Sequence, residues 1–355
     1  MSNSNLLSYG VTSTLIHQFA DISDRQVGRI VRQERQQYQV ITAVGVVSAQ
    51  TSGRFNHHVL DTSDFPVIGD FVGIQLTPTK DAAIIHQELP RNSLFVRQAA
   101  GTTHQVQSVA ANVNVALICM SLNHDFNPHR LERYLTVCWD SGATPVVVLT
   151  KSDLCSDTEA KLAVIAPMTL GVTVLTTTTT TANGLAPLQT FLQAGQTFAL
   201  LGSSGVGKSI LINRLLGKTI ITTDGFRNDD KGHHTTTSRE LYQLSSGALM
   251  IDTPGMRALG LWGADTGLAQ NFSDVADLIR HCRFRNCHHQ TEPGCAVKAA
   301  LATGQLTTER GQSYQKLQAE NAYIVMILRP YLAQKQRTEV ANAKQIRQIY
   351  HPKHY

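Results

Sequence analysis

The run Gly202-Ser203-Ser204-Gly205-Val206-Gly207-Lys208-Ser209 carries the residue types that hold nucleotide phosphates and their cation. Its spacing fits G-x-x-x-x-G-K-[ST] without a mismatch. Glycines let successive backbone N–H groups turn toward an anion, and a helix starting here adds its dipole. Lys208 suits the β- and γ-phosphates, and the Ser209 hydroxyl suits magnesium. A second element, Asp252-Thr253-Pro254-Gly255, begins 44 positions after Lys208. An aspartate ending a buried strand holds magnesium directly or through water, and the Gly255 N–H is suited to the γ-phosphate.

Upstream lies Thr150-Lys151-Ser152-Asp153, after the strand-like run Pro145-Val146-Val147-Val148-Leu149. The Asp153 carboxylate can accept two hydrogen bonds from guanine N1–H and its exocyclic amine. Adenine offers no such pair, so an unpaired carboxylate rejects it. The usual pattern begins with Asn, whose amide bonds more broadly than the hydroxyl of Thr150. Guanine preference is therefore expected to survive in weakened form. The guanine reader stands before the phosphate loop rather than after it, which is the order of a circularly permuted GTPase.

Between the phosphate loop and Asp252 lies Lys231-Gly232-His233-His234-Thr235-Thr236-Thr237. This is the place of a switch loop, where a threonine hydroxyl completes the magnesium shell while the γ-phosphate is present. Spacing does not choose among the three threonines. Gly255 is followed by Met256-Arg257-Ala258, with no Gln to orient water. His234, with a pKa near working pH, is then the best candidate for positioning or activating water, and Arg257 is a weaker candidate for transition-state charge. Slow intrinsic turnover that depends on a partner is expected.

Three of the six cysteines fall within Cys282–Cys295, as C-x4-C-x-H-x5-C when His289 is counted. Cys282, Cys287, Cys295 and His289 suit a closed tetrahedral zinc site, with His288 and His281 as alternative imidazoles. No signal peptide is evident, so a cytosolic metal site is favoured over disulfides. Cys119, Cys138 and Cys155 read as ordinary buried thiols.

Permuted order, the Gly232-x-His234-Thr-Thr-Thr run and a cysteine cluster ending Glu292-Pro293-Gly294-Cys295-Ala296-Val297 together resemble the RsgA (YjeQ) family. These are GTPases that depend on the small ribosomal subunit. The resemblance covers most of the chain, including Leu89-Pro90-Arg91-Asn92-Ser93-Leu94. It implies an N-terminal OB-fold, a central permuted GTPase and a C-terminal zinc domain. It also implies a role in late small-subunit assembly, rRNA binding, and release after GTP hydrolysis, and it supports His234. The family's Ser-Ala pair near the base is missing from Thr176–Thr181, so no base contact is assigned there.

These sites need elements to position them. At 355 residues, two or three domains are expected. A hydrophobic content of 42% and a charged content of 16% fit a soluble globular chain, and no apolar run approaches a membrane span. Short alternating runs from Val27 to Phe95 predict a small all-β sandwich or barrel in residues 1–105, and an OB-fold fits. Residues 1–8 are expected to be a mobile end. Arg25, Arg29, Arg32, Arg35 and Arg54 are candidates for phosphate contacts, and Phe55, Phe65 and Phe71 for stacking or core packing. Strands alternating with helices predict a parallel α/β sheet in residues 106–272. Residues 273–355 hold the cysteine cluster and helical sequence interrupted at Pro330. The final 25 residues set five basic side chains against Glu339, which suits a nucleic-acid backbone. A cytoplasmic monomer using Mg2+ with GTP and one structural Zn2+ is expected. The competing reading is a phosphate-loop kinase or ATPase whose zinc module serves stability alone.

Overall fold

The computed structural model describes residues 4–18, 25–34, 37–59, 62–98, 106–219, 239–252, 256 and 259–350. Five N-terminal strands close on themselves: β1 (Gln26–Glu34), β2 (Gln37–Thr42), β3 (Gly45–Thr51), β4 (Phe71–Leu76) and β5 (Ala82–Glu88). Their order is β1-β2-β3-β5-β4, returning to β1 through the β1–β4 pairing. Residues Gln26–Arg29 of β1 close the barrel on β4, while its far end at Arg32 and Gln33 stays available for a further strand. Along β3, Val47 and Ala49 point into the barrel while Val46, Ser48 and Gln50 face out, the alternation that fixes its register. The expected OB-like barrel is present.

Three short helices accompany the barrel: α1 (Ser4–Ser8), α2 (Ser13–His17) and α3 (Gly53–His58). The expected mobile end is not found over the described part of it. Leu6 of α1 is buried with Val11, Val27, Phe71 and Leu89, so apolar contact holds the segment to the barrel. Arg29 also departs from expectation. It is 1% exposed and bonded wholly to protein groups, and thus is no phosphate contact.

A hairpin of β6 (Leu94–Gln98) and β7 (Val106–Ala111) leads into the second sheet. That sheet uses β8 (Val115–Ser121), β9 (Thr144–Thr150), β10 (Thr173–Thr176), β11 (Thr197–Leu201), β12 (Arg239–Gln243) and β13 (Leu249–Asp252). The spatial order is β10-β9-β8-β11-β13-β12, parallel throughout except for β12. Helices α4 (Pro128–Ser141), α5 (Thr158–Ile165) and α6 (Ala186–Phe191) connect successive parallel strands from β8 to β11, and α7 (Lys208–Leu216) follows β11. Every residue of β8 and β11 is buried, which is why both are continuous apolar runs. Strands before the phosphate loop lie on one side of β11 and those after it on the other, so β11 is the switch point of the sheet.

The two sheets are hydrogen-bonded to each other. β12 pairs with β1, setting Arg32 opposite Glu240 and Gln33 opposite Arg239. A register shift between Ile30 and Arg32 lets β1 serve both the barrel and β12.

The C-terminal part consists of α8 (Asp265–Asn271), α9 (Ser273–Arg280), α10 (Ala296–Thr303) and α11 (Thr308–Tyr350). The expected interruption at Pro330 is absent, because α11 runs through it. A proline removes one backbone donor, at about 3 kcal/mol, which a helix of this length absorbs. Arg310 locks α11 to the sheet region. It pairs with buried Glu132 of α4 at 2.7 Å and Asp274 at 3.1 Å, and lies 4.0 Å over the Phe272 ring. Among the described residues, no helix is long and apolar enough to cross a membrane.

Candidate nucleotide site and metal centre

The parallel strands β8, β9, β11 and β13 end at one edge of the sheet, where the predicted site residues collect. Gly202 follows β11 with φ 136°, and a Cβ there would sit 2.3 Å from the Cys119 carbonyl oxygen of β8. Only glycine lets the loop leave the strand so close to its neighbour. Ser204 and Gly205 form the turn, with buried Val206 anchoring it. Gly207, at φ 99°, is the N-cap of α7 and supplies no capping oxygen. The amide groups of the first turn therefore have no side-chain cap from that position. Lys208 opens α7 and donates from Nζ to the Gly202 carbonyl at 2.7 Å and to that of Ser203. Ser209 follows in the first turn, and Gly217 closes the helix in the left-handed conformation, as expected.

The reader segment is hydrogen-bonded to this loop. Thr150, buried at the end of β9, donates from Oγ1 to the Val206 carbonyl at 2.7 Å. Lys151, at φ 57°, donates from Nζ to the Gly205 carbonyl at 2.7 Å. Ser152 and Asp153 form a short 3-10 turn. The Asp153 carboxylate accepts from Thr178 Oγ1 at 2.5 Å. The threonine run, given no base contact from sequence, thus borders the reader carboxylate. Asp252 ends β13 on the other side of β11, opposite Glu240 in register.

Two further residues at the loop escaped sequence reading. Asp125 accepts from Ser203 Oγ at 2.6 Å and from Arg130 Nη1 at 2.9 Å, and Arg130 also donates to Ser203 Oγ at 2.9 Å. Burial works against ionisation of Asp125, but the Ser203 and Arg130 hydrogen bonds outweigh it and hold the carboxyl below the usual range. Their position just past the carboxyl end of β8 was the available signal. His234 and the threonines of the switch run lie outside the described residues, as do Thr253, Pro254, Gly255 and Arg257.

The cysteine cluster assembles as the spacing predicts. The ligand atoms of Cys282, Cys287, His289 and Cys295 lie within 4.8 Å of one another. Cys282 Sγ is 3.7 Å from His289 Nδ1 and 4.0 Å from Cys295 Sγ, and His289 Nδ1 is 3.4 Å from Cys295 Sγ. Zinc–sulfur bonds of about 2.3 Å span tetrahedral edges of about 3.8 Å, so the donor set fits zinc. The alternatives fall away: His288 is exposed and His281 Nδ1 sits 2.8 Å from the Asp277 carbonyl oxygen. Glu292 accepts from the backbone N–H groups of His288, Gln290 and Thr291, fixing the turn that presents His289. Of the remaining cysteines, Cys119 and Cys138 are buried as expected. Cys155 is only half-buried, because it ends beside Asp157 and Lys161 at the surface.

Comparison with known proteins agrees with this layout. A family model described as RsgA GTPase matches residues 88–262, and one described as 50S ribosome-binding GTPase matches residues 197–349. The small ribosomal subunit biogenesis GTPase RsgA 2 of Lactiplantibacillus plantarum is 48% identical over 320 residues, covering 90% of each chain. Its namesake in Listeria monocytogenes is 44% identical over 311 residues, covering 87% of this chain and 88% of that one. Among solved structures, YjeQ from Thermotoga maritima matches with a TM-score of 0.63 at 22% identity, over 84% of this chain and 99% of that one. YloQ, a circularly permuted GTPase, matches with a TM-score of 0.61 at 24% identity, over 85% and 97%. The two structures share the fold, and the closer relatives share nearly the whole sequence length. The chain belongs to the RsgA GTPase family.

Proposed function

We propose that this chain hydrolyses GTP to GDP and phosphate and acts in biogenesis of the small ribosomal subunit. The 48% identity to a biogenesis GTPase across 90% of both chains carries the proposal. The site chemistry supports it, since the phosphate loop and reader segment are joined by the Thr150 and Lys151 hydrogen bonds. In this reading Gly202 to Ser209 hold the phosphates, and Lys208 exchanges its loop carbonyls for β- and γ-phosphate oxygens. Lys151, Ser152 and Asp153 receive the base, with Asp153 accepting from guanine N1–H and the 2-amino group. Ser209 and Asp252 would hold magnesium, which when bound neutralises charge on the transferring phosphoryl group. Gly255 contacts the γ-phosphate and His234 positions the water. That water attacks the γ-phosphorus, and the bond to the β–γ bridging oxygen breaks to leave GDP.

Cys282, Cys287, His289 and Cys295 would hold one structural zinc, supported by their spacing. Residues 1–105, 106–272 and 273–355 serve as the barrel, GTPase and zinc-helical parts. The partner is the small subunit and its rRNA, met by a cytoplasmic monomer. The test is turnover of GTP and ATP with and without purified small subunits. Slow GTP turnover that rises with the subunit, with ATP ignored, is expected. GTP turnover indifferent to the subunit removes the ribosomal partner, and ATP used equally removes the guanine reading.

A further inference from the structure

Thr150 has one hydroxyl proton, and it is committed. Oγ1 lies 2.7 Å from the Val206 carbonyl oxygen, which can only accept, and both residues are buried. Toward a bound base the Thr150 oxygen therefore offers lone pairs alone. A guanine whose N1–H and 2-amino group reach Asp153 turns N7 toward the opposite edge. N7 belongs to the five-membered ring that carries the ribose, so it lies on the phosphate side. Thr150 and Lys151 are tied to that side through Val206 and Gly205. N7 is itself an acceptor, and two acceptors form no hydrogen bond.

We infer that Thr150 leaves guanine N7 unread and acts as a tether between the reader segment and the phosphate loop. Base selection then rests on Asp153, which the Thr178 hydroxyl orients from the other side. This deepens the reading of Asp153 as the guanine acceptor and rests on it. An asparagine at position 150 would have two N–H donors, one for the Val206 carbonyl and one for N7. A valine would have none, leaving that buried carbonyl unpaired.

The experiment measures dissociation constants of the full chain for GDP, 7-deaza-GDP and ADP. The unaltered protein should bind GDP and 7-deaza-GDP within about threefold of each other, because no buried donor loses its partner. Thr150→Asn should come to prefer GDP over 7-deaza-GDP by about tenfold or more. Thr150→Val should weaken both by the same factor, since it loses only the tether. A tenfold preference for GDP in the unaltered protein overturns the inference, and that arm needs no variant to fold. Equal binding of GDP and ADP overturns the reading of Asp153 and the inference with it.

Discussion

Arg29 Nη2 donates to Thr197 Oγ1 at 2.8 Å, joining a strand of the barrel to the first residue of the strand that leads into the phosphate loop. The same guanidinium donates to the carbonyls of Tyr9, Gly69 and Asn112 and stacks 4.8 Å over Phe71. Burial lowers its pKa to about 10 while Asp70 works against that, so it remains charged at neutral pH. A charge this deep is tolerated because every donor direction in use meets an oxygen.

Removing Arg29 strands several carbonyls at once. Arg29→Met is expected to destabilise the chain by about 3 kcal/mol or more, and Thr197→Val by about 1–2 kcal/mol. The two effects should fall short of additive in a double-mutant cycle read by urea unfolding. Full additivity would mean that the barrel and the GTPase sheet are not coupled through this contact.

Arg91, in the link between Leu89 and Ser93, bridges a titrating pair, Asp70 and Glu88. Buried Asp70 takes two hydrogen bonds from Arg91, at 2.8 and 2.7 Å, and Glu88 takes one at 2.7 Å. Two carboxyls share one guanidinium, and burial raises the pKa of both, opposed at Asp70 by its two Arg91 hydrogen bonds and the Val67 N–H. Burial, then the charge of Asp70, pushes Glu88 up to about 8 from its ordinary 4.5, with Arg91 opposing. A raised carboxyl pKa means the folded chain binds the proton more tightly than the unfolded chain. The stabilising effect is full below 4.5 and is lost as pH rises toward 8. Glu88→Gln should therefore match the unaltered protein at pH near 4.5 and exceed it at pH 8 in chemical denaturation. A deficit that grows from low to high pH would refute the assignment.

The proposed zinc site implies a local collapse when a ligand is lost. Cys295 lies within the ligand cluster and also caps α10, its Sγ accepting from the Lys298 N–H at 3.4 Å. Cys295→Ser should drop zinc content from one ion per chain to a small fraction by metal analysis. It should also expose the 282–303 segment to proteolysis while leaving nucleotide binding intact. Unchanged zinc content would show that the fourth donor lies elsewhere.

Much of this site was legible in the residues themselves. The phosphate loop, the reader segment and the cysteine spacing are local patterns, and each is built from chain neighbours. What escaped was long-range. Arg29 looked like a surface cation because nothing nearby in sequence announces Gly69, Asn112 or Thr197 as partners. Thr178 fell in a run to which no base contact was assigned, since its relation to Asp153 exists only once β9 and β10 are paired. Asp125 and Arg130 carry no motif and acquire meaning from the end of β8. Pro330 shows local propensity overridden by the length of helix around it. The β12–β1 pairing that merges the two sheets joins residues about two hundred positions apart, beyond any periodicity argument.

Gly202 offers the sharpest test of the loop geometry. Its φ of 136° and the 2.3 Å that would separate a Cβ from the Cys119 carbonyl oxygen both forbid a side chain. The clash is with backbone in a central strand, so it cannot be relieved by a rotamer change. Gly202→Ala must push the loop away from β8 and, with it, the Gly205 and Val206 carbonyls that hold Lys151 and Thr150. Gly205→Ala meets no atom within 4 Å and suffers only the strain of its φ of 79°. Affinity for GDP should therefore fall by about a hundredfold in Gly202→Ala and by about tenfold or less in Gly205→Ala. Equal losses in the two variants would mean that backbone strain, not contact with β8, sets the shape of the phosphate loop.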